Sequence, residues 1–343
     1  MPSGEDDLIA RYFKPVSTAP GALGLTDDAA FFTPPEGYDL VLTADAVVAG
    51  VHFLESDTPV HIAKKALRVN ISDLAAKGAK PAGFLMTLAL PEKHATDQSF
   101  LAEFASGLKD DGKYYDCPLL GGDTVRTEGP LSISIFAFGI VPRRTMVKRS
   151  GAKPGHRVFV SGTIGNAALG LTLAIGDEQS RRWPIVESDA SRLMDHYYVP
   201  APPVDLADAL RACASAAMDV SDGLVGDLAK LCAASGVSAR IEVVRVPMFD
   251  ARIARVPLPG SRGDPNGFQW DRASLQRVLT GGDDYEILCA IPPERVGLFR
   301  ELAEAAKVRV TEIGEIIEGD APPQFIGADG ASLTFVRGSF SHF

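Results

Sequence analysis

Cysteine is scarce in this chain and scattered where it occurs. Cys117, Cys213, Cys232 and Cys289 are the four, far apart and with no Cys-x-x-Cys pair. A disulfide framework or a zinc knuckle is not expected, and reduced thiols in a cytosol fit better. Long apolar runs are also missing, none approaching the ~20 residues of a membrane helix. The opening Met1–Asp7 stretch is acidic and lacks the basic start of a secretory signal. A cytoplasmic protein with no membrane partner is therefore expected. Positive charge is in deficit, with 34 Lys and Arg against 44 Asp and Glu, a formal net charge of −10. Nucleic acids are held by clustered Lys and Arg, so none is expected as a partner.

The familiar nucleotide loops are absent too. Residues 107–114 approach a phosphate-binding G-x-x-x-x-G-K-[ST] loop but end in Tyr114, and Asp110 and Asp111 would face the phosphates. The stretch reads better as a helix end with Gly112 at its C-cap. No G-x-G-x-x-G follows a strand, and there is no protein-kinase catalytic loop. Any ATP site here is of another type.

What the sequence does contain is ample apolar material, 46% of 343 residues. That supports a folded protein of two domains. A basic stretch poor in apolar residues, Pro142–Pro154, suggests a boundary that divides the chain into 1–142 and 143–343. In the first part, Ser3 suits a helix cap and Tyr38–Leu42 reads as a strand. Pro59–Lys77 reads as a helix, Phe84–Leu90 as a strand, Asp97–Asp111 as an amphipathic helix and Leu131–Val141 as a strand. In the second, the pattern predicts a strand at Arg157–Ser161 and a helix at Asn166–Ile175. A helix after Pro202-Pro203 should end near Ala217. Further elements follow: a helix at Gly223–Ala234, strands at Arg240–Val244 and Tyr285–Ile291, and a helix at Pro293–Lys307. Pro257–Trp270 reads as a loop.

The unusual feature is a series of short acidic motifs among small residues: Thr26-Asp27-Asp28-Ala29; Thr43-Ala44-Asp45; Asn70-Ile71-Ser72-Asp73; Gly121-Gly122-Asp123-Thr124; Asp219-Val220-Ser221-Asp222-Gly223; and Gly281-Gly282-Asp283-Asp284-Tyr285-Glu286. Each alone also reads as a turn or a helix cap. Gathered in one cleft, such carboxylates would repel one another unless cations lay between them. Mg²⁺ takes oxygen ligands and keeps positions for water and phosphate oxygens, which would turn an acidic cluster into a polyphosphate receptor. Asn70 and Asp73 are three apart and share one helix face. His52 and Arg149 read either as phosphate contacts or as a packed ring and a surface cation.

Taken in order, these motifs resemble the thiamine-monophosphate kinase family of the aminoimidazole-ribonucleotide synthetase superfamily. Val51-His52-Phe53, Lys65-Ala66-Leu67 and Arg149-Ser150-Gly151 extend the resemblance over nearly the whole chain. It implies a mixed α+β and α/β fold, with an N-terminal α+β domain contributing strands to a barrel across a homodimer and a C-terminal α/β domain. It implies transfer of a phosphoryl group from ATP to thiamine phosphate, with Mg²⁺. Motif by motif, Asp28, Thr43, Asp45, Asp73, Asp123, Asp219 and Asp222 correspond to metal ligands. Tyr115, Gly122, Asp123, Arg149 and Ser221 correspond to nucleotide contacts, and His52, Asp283 and Phe340 to substrate contacts. The chain departs from the family pattern at three positions: Thr26 stands for a Gly, Ala44 for a Thr and Asp283 for a Glu. Rival readings are a selenophosphate synthetase, a purine-pathway amidine synthetase, or a non-catalytic nucleotide-binding regulator. The first usually carries a reactive Cys in an N-terminal Gly-rich segment, whereas the first cysteine here is Cys117.

Overall fold

Residues 4–178, 180, 185–249, 272–336 and 338–339 are described by the structure, a computed structural model. The expectations for Ser3, the 257–270 loop and Phe340 fall outside them. The chain divides into a unit of Met1–Met146 and a unit of Val147–Phe343.

In the first unit, α1 (Gly4–Leu8) runs into a wider turn at Ile9–Phe13 that buries Tyr12 and Phe13. There follow β1 (Tyr38–Val48), α2 (Pro59–Ala76), β2 (Lys80–Pro91), the single turn α3 (Glu92–Ala95), α4 (Gln98–Tyr114), β3 (Leu119–Thr127) and β4 (Ser132–Pro142). The sheet order is β1-β4-β2-β3. Only β2 and β3 are parallel, and their connection needs the long crossover that α3 and α4 supply. Both long helices start where side chains cap them. Thr58 accepts a hydrogen bond from His61 N, with Pro59 in the first helical position. Asp97 accepts from Ser99 N and Phe100 N, and the Phe100 N–H, followed by the Ser99 hydroxyl, holds its carboxyl below the usual carboxylate range.

Two expectations about this unit are corrected. β1 extends to Val48, past the expected Leu42, because Thr43–Val48 pair with Ala137–Ser132. That ladder overrides the weak strand preference of Ala44, Asp45 and Ala46. Gly112 does not end α4. The helix continues to Tyr114, and the left-handed turn falls at Asp116 (φ 53°).

The second unit contains β5 (Arg157–Ser161), α5 (Asn166–Ala174), α6 (Glu187–Tyr198), α7 (Ala207–Cys213), β6 (Ala216–Val220), α8 (Leu224–Ser235), β7 (Ser238–Glu242), α9 (Arg272–Thr280), β8 (Glu286–Ile291), α10 (Val296–Ala305), β9 (Val310–Ile317) and β10 (Gln324–Ile326). The strand order is β10-β7-β9-β5-β8-β6, antiparallel except for β10 with β7. A core of Val158, Val160, Met218, Val220, Leu224, Leu228, Ile241 and Leu288 joins this sheet to α8. Phe159 and Phe299 pack edge to face, with centroids 5.3 Å apart. The helix after Pro202-Pro203 stops at Cys213, short of the expected Ala217. Ala216 and Ala217 are instead buried in β6, paired with Ala290 and Cys289.

Candidate active site

In the first unit, β1 and α2 build an oxygen-rich cluster. Thr43 and Asp45 are two apart on β1 and so point to one face. Asn70 and Asp73, three apart on α2, meet that face. The Thr43 hydroxyl donates to Asp73 Oδ2. Asp45 N donates to Asn70 Oδ1 at 3.1 Å, and Asn70 Nδ2 donates to Ala66 O at 3.1 Å. Asn70 is fully buried. Its amide therefore fixes the backbone of Asp45 while the carboxylate stays exposed. The donors are hydroxyl and carboxylate oxygens, the chemistry that suits Mg²⁺. Among the described residues no three His, Cys, Asp or Glu side chains form a metal cage by themselves. A cation held here would take further oxygens from water or phosphate.

Across the sheet, Asp45 lies opposite Ile135, Ile135 opposite Met86, and Met86 opposite Gly122. Asp123 falls in the next row, opposite Thr87, so strand alternation turns it to the face of Leu85 and Val125 and away from that of Asp45. A Cβ on Gly122 would meet Met86 O at 1.8 Å, so only glycine lets β3 lie this close to β2. Asp28 sits exposed on a bend before β1. Tyr115 is buried, 5% exposed, with the Arg68 guanidinium 5.4 Å above its ring. Burial raises its phenol above the ordinary range. His52 closes the turn after β1. Its ring Nδ1 accepts from Val48 N at 3.1 Å, and its backbone N–H donates to Val48 O at 2.9 Å. An accepting Nδ1 leaves the proton of the neutral ring on Nε2.

In the second unit, Asp219 is buried in β6, paired with Ile287. Ser221 and Asp222 follow, and Gly223 (φ 113°) makes the turn into α8. A Cβ there would meet Thr280 C at 2.6 Å. Asp222 is engaged by groups that sequence reasoning missed. Lys230 Nζ donates to Asp222 Oδ2 at 2.5 Å and to Asp227 Oδ1 at 2.8 Å, and Asp222 N donates to Asp227 Oδ2 at 2.9 Å. The Asp227 side chain is fully buried. Burial raises its pKa, while Lys230 and the Asp222 N–H oppose the rise. The available signal was an acid in the first turn of a predicted helix with a Lys three residues on. Arg149 lies exposed in the loop before β5.

The Gly281–Glu286 stretch crosses from α9 to β8. Asp283 N donates to Ser221 O and Tyr285 N to Val220 O, both at 2.8 Å. Asp284 is buried and accepts from Gly165 N at 2.6 Å and Ala167 N at 3.2 Å, capping α5. Burial pushes its carboxyl well up, while those two N–H groups pull down. Glu286 Oε2 accepts from the Ser161 hydroxyl at 2.5 Å. Burial pushes Glu286 up to about 7 against the pull of Ser161 and the Thr163 backbone.

The chain matches the family models for AIR synthase related proteins, N-terminal domain over residues 26–141 and C-terminal domain over residues 153–322. The thiamine-monophosphate kinase of Caulobacter vibrioides is 43% identical over 323 residues, covering 93% of this chain and 86% of that protein. The chain belongs to the thiamine-monophosphate kinase family. The crystal structure of a family member from Stenotrophomonas maltophilia is 34% identical, with a TM-score of 0.76 over 96% of each chain. A second solved ThiL protein, described as complexed with AMPPCP and TMP, is 30% identical. Its TM-score is 0.73 over 91% of this chain and 89% of that one. In the present chain the motif residues are distributed over both units, and the acid Asp222 carries its own lysine partner.

Proposed function

We propose that this protein transfers the γ-phosphoryl group of ATP to thiamine phosphate, yielding ADP and thiamine diphosphate. The observation that carries this reading is the oxygen cluster of Thr43, Asp45 and Asp73, with Asp45 held in place by the buried amide of Asn70. Full-length similarity to family members supports it, as does the relative complexed with AMPPCP, an ATP analogue, and TMP.

An oxygen of the acceptor phosphate attacks the γ-phosphorus in line, and the bond to the bridging oxygen of ADP breaks. The acceptor phosphate is already ionised near neutral pH, so no side chain need take a proton. Positioning and charge neutralisation are the tasks left to the protein. Mg²⁺, when bound, neutralises the meeting phosphates. In the first unit, Asp28, Thr43, Asp45 and Asp73 would hold it; in the second, Asp219 and Asp222 are assigned to it by their own motifs. Gly122 and Asp123 in the first unit, and Arg149 and Ser221 in the second, are assigned to the nucleotide; Tyr115, assigned with them, is buried under Arg68. His52 in the first unit and Asp283 in the second are each assigned to thiamine phosphate. Phe340, outside the described residues, is assigned to the same substrate. On this reading the enzyme works in the cytoplasm, where the four buried cysteines, free of disulfides, would stay reduced, and acts as a homodimer.

The test is ADP release measured with thiamine phosphate, thiamine and aminoimidazole precursors in turn. Release only with thiamine phosphate is expected. ATP binding without turnover on any of them would replace the enzyme reading with a regulator. Asp45→Asn should lower turnover by ~10²–10³-fold, the usual cost of losing one transition-state contact.

A further inference from the structure

The short turn that carries Asp283 is built under strain. Asp283 (φ 72°) and Tyr285 (φ 52°) both hold left-handed backbone conformations, which disfavour side chains with a Cβ and persist only where surroundings impose them. The surroundings here are specific. Asp283 N and Tyr285 N are tied to the carbonyls of Ser221 and Val220, at the end of β6. Between them, the Asp284 carboxylate is clamped by two N–H groups at the start of α5. Beyond them, Glu286 is tied to Ser161. The backbone is thus pinned from three elements, and the pinning folds Tyr285 back over its neighbour. The Tyr285 hydroxyl donates to Asp283 Oδ1 at 3.2 Å from a ring that is itself 8% exposed.

We infer that Tyr285 is a positioning residue for thiamine phosphate, fixing the direction of the Asp283 carboxylate through its hydroxyl. This deepens the function proposed above and rests on the substrate contact it gives Asp283. Aspartate has one side-chain torsion fewer than glutamate, and a hydroxyl bond to one oxygen removes much of the freedom that remains. The carboxylate as a whole is thereby held in one direction.

The experiment is a double-mutant cycle on the full-length protein. Steady-state kinetics and calorimetric binding of thiamine phosphate are measured for Asp283→Asn, Tyr285→Phe and the double variant, with melting temperatures alongside. Tyr285→Phe should raise KM and Kd for thiamine phosphate about three- to tenfold while changing kcat and KM for ATP much less. In the Asp283→Asn background the same change should have no further effect, because the tyrosine acts only through that carboxylate. An unchanged KM in Tyr285→Phe, or losses that simply multiply in the double variant, would overturn the positioning role while leaving Asp283 a substrate contact. An unchanged KM in Asp283→Asn would remove the contact itself, and the inference with it.

Discussion

At the scale of single residues, the acids of this chain fall into different electrostatic settings despite similar motifs. Asp45 is exposed, whereas Asp227 and Asp284 are buried with N–H or ammonium partners. Glu286 is the acid whose burial gives a measurable pH signature. Its pKa rises from 4.5 to about 7, chiefly through desolvation. Between those values the folded protein keeps a proton that the unfolded chain has lost. Stability from this group is full below about pH 4.5 and falls as pH rises through 7. Glu286→Gln removes the ionisation and leaves an oxygen to accept from Ser161. Its melting temperature should therefore exceed that of the wild type above pH 7 by a few degrees, since ~1 kcal/mol moves the midpoint ~2–4 °C for ~200 residues. The two curves should converge by pH 5. Parallel melting curves between pH 5 and 8 would show that Glu286 does not titrate in this window.

At the scale of elements, α2 carries the weight of the first unit. It presents Asn70 and Asp73 to β1 and is anchored on its other side to α4. Arg68 Nε and Nη2 donate to Asp111 Oδ2 and Oδ1 at 2.5 and 2.9 Å, and the Asp111 side chain is only 2% exposed. Arg68→Ala leaves that charge buried and unpaired, so urea unfolding should show a loss of about 3–5 kcal/mol. The pair Arg68→Met with Asp111→Leu should recover most of it, and a loss below 1 kcal/mol in Arg68→Ala would refute the anchor. Much of this element was legible in the sequence. Pro59 after Thr58 marked its start, and apolar spacing gave its span within one residue. Asp111 was legible only as an obstacle to a phosphate loop, because nothing local says that a carboxylate on α4 faces a guanidinium 43 residues earlier. β3 was not recognised as a strand, nor were Thr43–Val48. Glycine, alanine and aspartate carry no strand preference, and it is the ladders to β2 and β4 that hold them extended. The acidic motifs were visible one by one, while their partners Lys230, Tyr285 and Ser161 became visible only through the fold.

At the scale of the whole molecule, the four-stranded sheet is two-faced. Its α2 side buries Val41, Val47, Ile133, Ile135, Phe84 and Leu88. The rows between carry Leu40, Leu42, Phe136, Leu85 and Val125 on the opposite face, and all five are exposed, Leu42 by 59% and Phe136 by 40%. Phe136 pairs with Ala44 on one side and Leu85 on the other, so the apolar groups are contiguous. Exposed apolar side chains that are contiguous on one face mark an interaction surface. A second copy of the same sheet face, closing the strands into a barrel, is the occupant that the homodimer reading requires. Burying these side chains at ~25 cal/mol per Å² supplies the driving force. A single aspartate at the centre of the face would then be desolvated against its own symmetry mate. Phe136→Asp should convert a species of twice the 36.4 kDa chain mass into one of 36.4 kDa in light scattering after size exclusion. The helix-facing core is untouched by that change, so far-ultraviolet circular dichroism should remain that of the folded chain. A wild-type protein that already runs at a single chain mass at micromolar concentration would refute the dimer and leave the exposed face in need of another partner.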